Sequence, residues 1–87
     1  MTRQKVRDTI YKATIEREFY WVLGGYDRDK SFSDMGASEL DFIEIELLVG
    51  YALNIKFGDY KSNEMSTPEA MEAFICGRFG VSNKEKL

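Results

Sequence analysis

The 87-residue sequence contains no histidine, one cysteine and one proline. Histidine is the commonest general base near neutral pH and a common metal ligand, so its absence argues against an enzyme and against a metal site. The single cysteine, Cys76, excludes an internal disulfide and suits a reducing compartment. We interpret Cys76 as a small core residue rather than a nucleophile, because no histidine is present to activate its thiol.

Long apolar runs are also missing. No segment approaches the roughly 18 consecutive apolar residues that indicate a membrane span, and the N-terminal residues do not resemble a signal peptide. We therefore expect a cytoplasmic protein without membrane association. The length predicts one domain over residues 1–87, with a core from about 5 to 80 and a disordered tail over 81–87. A small acidic domain of this size is expected to be monomeric.

Charge is distributed unevenly along the chain. Residues 31–75 contain nine acidic and two basic side chains, whereas residues 1–30 and 76–87 each carry a small positive excess. The acidic middle argues against a nucleic-acid surface, which would need a basic patch. It indicates either a basic partner protein or simply a solvated acidic face.

Apolar spacing and capping residues predict three main helices. The first spans residues 5–23, which contain neither glycine nor proline, and Gly24-Gly25 ends it. The second has Ser38 as its N-cap, with Asp41 completing a weak capping box, and runs to about residue 53. The third begins at Thr67-Pro68 and ends near 77–80. A short helical turn is expected between 59 and 65, and a long loop joins the first two helices.

The second predicted helix is strongly apolar and acidic. Its apolar residues surround much of the helix, so we expect neighbours to contact it on more than one side. One line of them follows the i, i+3/i+4 rule and comprises Leu40, Ile43, Leu47 and Tyr51. The acids Glu39, Asp41, Glu44 and Glu46 form either a solvated face or a docking face for a basic partner.

From Phe32 onward the sequence resembles the acyl carrier proteins. That family shows a D-L-G-x-D-S-L-D start to helix II, an E-F-x-I-x-I/F exit from it, and a final helix that begins T-[VP]-x-x. The match is free of gaps from Asp34 to Ile75, about half the chain. The resemblance implies an all-α four-helix bundle with three main helices and one short helix. The matching segments are Asp34-Met35-Gly36-Ala37, Leu40-Asp41-Phe42-Ile43-Glu44-Ile45, Leu53-Asn54-Ile55-Lys56-Phe57, and Thr67-Pro68-Glu69 leading to Phe74-Ile75.

The resemblance also implies a function. In that family a serine at the start of helix II bears 4′-phosphopantetheine, whose thiol holds acyl intermediates of fatty-acid, polyketide or related biosynthesis. The carrier needs no catalytic base, because a phosphopantetheinyl transferase attaches the arm. Acids on helix II dock onto basic patches of that transferase and of acyl-processing enzymes. Asp41 and Glu44 align with two positions of helix II that are acidic in the family, and Glu39 and Glu46 lie beside them.

The sequence departs from the family at the attachment point. The gap-free match places Glu39 in the serine column and Ser38 in the column that is normally aspartate. One hypothesis is that Ser38 carries the arm from a position rotated by about 100° around the helix. The alternative is that Ser38 is only an N-cap, and that the chain is a carrier-like fold without the arm that acts as a protein-interaction module.

Overall fold

A computed structural model describes residues 1–17, 24–58 and 62–81. They form three α-helices, α1 (Arg3–Arg17), α2 (Glu39–Leu53) and α3 (Pro68–Arg78), and a short 3₁₀ helix, Ser62–Met65, precedes α3. Because these ranges contain no strand, the predicted all-α class is confirmed. None of the helices they contain is long and apolar enough to cross a membrane.

The helix starts follow the capping residues. Thr67 accepts a hydrogen bond from the Ala70 N–H at 2.9 Å and Pro68 is the first residue of α3, as predicted. Helix α1 begins at Arg3, earlier than predicted, because the Thr2 hydroxyl accepts from the Lys5 N–H at 3.1 Å. The predicted end of the first helix at residue 23 and the predicted tail after 81 lie outside the described residues.

Within the described residues, an apolar core joins α1 to α2 and α3. The loop before α2 contributes Phe32, which is 2% exposed and therefore belongs to the core. Cys76 is also buried, which confirms its interpretation as a core residue. The buried apolar side chains are Val6, Ile10, Ala13, Phe32, Met35, Ile45, Val49, Phe57, Met65, Met71, Ile75 and Cys76.

Helix α2 lies at the surface. It buries Ile45 and Val49, one turn apart, against the core. The expectation that neighbours contact it on more than one side is wrong for the line of apolar residues defined above. Leu40, Ile43 and Leu47 are 61%, 49% and 55% exposed, and Tyr51 is 83% exposed. We call these four residues the outer line of α2.

Candidate functional site

Ser38 is the residue immediately before α2, and its backbone is extended, with φ −82° and ψ 174°. Its Oγ accepts a hydrogen bond from the Asp41 N–H at 3.1 Å. The Asp41 carboxylate in turn accepts from the Ser38 N–H at 3.0 Å, which completes a capping box. The predicted N-cap role is therefore confirmed. The serine side chain is exposed, so its hydroxyl is also accessible to an enzyme.

The loop that presents Ser38 is fixed by backbone hydrogen bonds. Gly36 has φ 109°, a left-handed conformation that glycine adopts without steric cost. The Phe32 N–H donates to the Ser66 carbonyl at 2.8 Å, and the Ala37 N–H donates to the Phe32 carbonyl at 2.9 Å. The start of α2 is thereby joined to the segment before α3 and to the core.

Glu39 is the first residue of α2 and is exposed. A carboxylate in the first turn is favoured by the helix dipole, because the unpaired N–H groups there carry partial positive charge. Ser38 and Glu39 thus lie in the cap and first helical positions, respectively. These positions are the ones that the gap-free match to the acyl carrier pattern assigns to aspartate and to the attachment serine.

Two of the acids that were predicted to dock partners are paired within the chain. Arg17, at the end of α1, places its Nη2 atom 3.0 Å from the Asp41 Oδ1 atom. Its Nη1 atom contacts the Glu44 carboxylate. The pKa of Asp41 is lowered, first by the hydrogen bond from the Ser38 backbone and then by the one from Arg17. The cap of α2 and the ion pairs to α1 therefore form one network.

Two recesses of about 580 Å³ each open along α2, and Ile43 lines both. The first lies beside Ser38 and Glu39, and its lining includes Phe32 and Phe42, whose ring centroids are 5.4 Å apart. The second lies between the C-terminal half of α2 and the following segment. Its lining includes Ile43, the half-buried Glu46, Leu47, Tyr51, Ile55 and Phe57.

Sequence reasoning did not single out Glu72, which is 1% exposed in α3. Its carboxylate contacts Arg3, Arg7 and Arg28 at 2.5, 2.9 and 2.7 Å. Burial alone would raise the pKa of Glu72, but the hydrogen bonds and charges of the three guanidinium groups outweigh it and lower the pKa. The sequence spacing indicates that Glu72 faces the core, because Glu72 precedes the buried Ile75 and Cys76 by three and four residues and so shares their helix face.

Comparison with models of known protein families, with curated proteins and with solved structures finds no match to this chain. The acyl-carrier resemblance therefore depends on the motif residues quoted above and stays a prediction. Within the part of the chain that the structure describes, no three side chains of the metal-binding types come together. The chemistry that the start of α2 offers is that of an accessible hydroxyl beside an apolar recess.

Proposed function

We propose that this chain is a carrier of the acyl-carrier type, an acyl-carrier-like four-helix bundle that bears 4′-phosphopantetheine on Ser38. The observation that supports this most is the exposed Ser38 hydroxyl at the N-terminus of α2, next to an apolar recess. The helix dipole favours the phosphodiester there. The cap is compatible with the modification, since the esterified oxygen keeps a lone pair for the Asp41 N–H.

The outer line of α2 supports docking to partner proteins. Leu40, Ile43 and Leu47 expose large apolar side chains on one helix that also displays Glu39. Contiguous exposed apolar residues with a polar rim are typical of protein-interaction surfaces. The proposed partners are a phosphopantetheinyl transferase and acyl-processing enzymes with basic patches.

Loading with coenzyme A and a broad-specificity phosphopantetheinyl transferase tests the proposal. We expect the intact mass to increase by one phosphopantetheine group and peptide mapping to place it on Ser38. Ser38→Asp should remain unmodified although it keeps the cap, because aspartate is as good an N-cap as serine. Ser33→Ala, which removes another exposed hydroxyl of the same loop, should load normally. No mass increase, in a reaction that loads an established carrier, would refute the proposal.

A second candidate is an interaction module without the arm. It is favoured by the cap geometry of Ser38 and by Glu39, whose carboxylate occupies the first helical position. Glu39→Ser separates the two candidates, because it places a hydroxyl in the family's attachment column. If the transferase modifies this variant at position 39 and leaves the wild type unmodified, the second candidate is supported. Modification of the wild type at Ser38 excludes it.

A further inference from the structure

The guanidinium group of Arg17 lies between two carboxylates of α2 that are three residues apart. Its two terminal nitrogens contact different partners, Nη2 with Asp41 at 3.0 Å and Nη1 with Glu44. All three side chains are accessible to solvent, with exposed fractions of 31%, 21% and 38% for Arg17, Asp41 and Glu44. The two carboxylates thus form intramolecular ion pairs with Arg17, and these pairs are accessible to solvent.

Another cation can take the place of Arg17 beside the two carboxylates. Partly exposed ion pairs are weak, because water and salt screen them. In addition, the Nε atom of Arg17 is buried and has no hydrogen-bond partner within the described residues, which disfavours the observed position of the side chain. A guanidinium or ammonium group from another protein can therefore replace Arg17 at a small cost.

We propose that Arg17 is an internal competitor for the cations that a partner brings to α2. While Arg17 occupies Asp41 and Glu44, docking depends mainly on the outer line of α2, and basic residues of the partner contribute only as far as they displace Arg17. The partner that fits is a protein that packs apolar side chains on Ile43 and Leu47 and surrounds them with basic residues. This inference rests on the proposed docking role of α2, but it does not require an arm on Ser38.

The test uses an amphipathic helical peptide of leucine and lysine as the probe and titration calorimetry as the measurement. Arg17→Gln should bind the peptide about three- to tenfold more tightly than the wild type at low salt, because two carboxylates lose their internal partner. The gain should shrink at high salt, where exposed charges are screened. Lys12→Gln removes the same charge from an exposed position of α1 and should change the affinity less than twofold, a small effect of net charge.

A gain in Lys12→Gln equal to that in Arg17→Gln would overturn the proposal, since net charge alone would then explain the effect. An unchanged affinity of Arg17→Gln would overturn it as well. The double variant Asp41→Asn, Glu44→Gln provides a second measurement, because it removes the carboxylates that Arg17 contacts. In this background Arg17→Gln should change the affinity less than twofold, as Lys12→Gln does in the wild type. A three- to tenfold gain from Arg17→Gln in this background would contradict internal competition. Neither result depends on whether Ser38 is modified.

Discussion

Helix α1 places arginines against carboxylates at two sites, and the two sites differ in stoichiometry and burial. At one, the buried Glu72 of α3 receives three arginines, two of them from α1. At the other, Arg17 faces two carboxylates of α2, and all three side chains are accessible to solvent. The same residue types therefore surround a buried carboxylate at one site and form a partly exposed contact at the other.

Burial explains the difference. A carboxylate that is removed from water must keep its cations, because a buried charge without a partner costs several kcal/mol. An exposed pair exchanges its partner for water or salt at little cost. We therefore expect the Glu72 cluster to determine the stability of the fold and the Arg17 network to affect partner binding. The following variants test this difference between the two sites.

The largest effect is expected from Glu72→Gln. It removes the carboxylate charge that contacts all three guanidinium groups, and it should lower the free energy of unfolding by about 2–4 kcal/mol. Urea denaturation followed by circular dichroism measures this. Glu16→Gln is the matched control, because Glu16 is exposed on α1, and it should change stability by less than about 0.5 kcal/mol. Equal effects of the two substitutions would contradict a structural role for the cluster.

Lowering the pH should destabilise the folded protein by protonating the Glu72 carboxylate. Because the folded-state pKa of Glu72 is lowered, its stabilising contribution is complete above the unfolded-state pKa of about 4.3 and is lost as the pH falls through the folded-state value. The free energy of unfolding of the wild type should therefore decrease below about pH 5. Glu72→Gln should show a shallower decrease over that range. Parallel pH profiles for the two proteins would show that Glu72 does not carry the effect.

The smallest effect on stability is expected from Arg17→Gln. Its ion pairs with Asp41 and Glu44 are partly exposed, so the loss should be at most about 1 kcal/mol. The difference from the wild type should nearly disappear in 1 M salt, where the Debye length is about 3 Å. Thermal unfolding at low and high salt measures it. A loss as large as that of Glu72→Gln, persisting in high salt, would remove the contrast between the two sites.

The local features of the fold were predictable from sequence. Ser38 and Thr67-Pro68 identified the starts of α2 and α3, because capping depends on residues within three positions of each other. Helix α1 starts two residues before the predicted residue 5, because the Thr2 hydroxyl caps it.

The contacts between distant segments were not predictable. Glu72 lies 65 and 69 residues from the α1 arginines that bind it, and Arg17 lies 24 residues from Asp41. The orientation of α2 was also missed. Two sets of apolar residues in α2 follow helical spacing, the buried Ile45 and Val49 and the exposed Leu40, Ile43 and Leu47. Periodicity alone therefore does not show which set faces the core. The packing of α2 on the core distinguishes them, because it buries Ile45 and Val49 and leaves the outer line exposed.

The central proposal concerns Ser38, and the mass of the protein purified from its native host tests it most directly. We predict a population heavier than the sequence by one phosphopantetheine group, with or without an attached acyl chain, and a fragment spectrum that places the group on Ser38. A native protein whose entire population has the mass of the unmodified sequence would contradict the carrier function and leave Ser38 as the N-cap of α2.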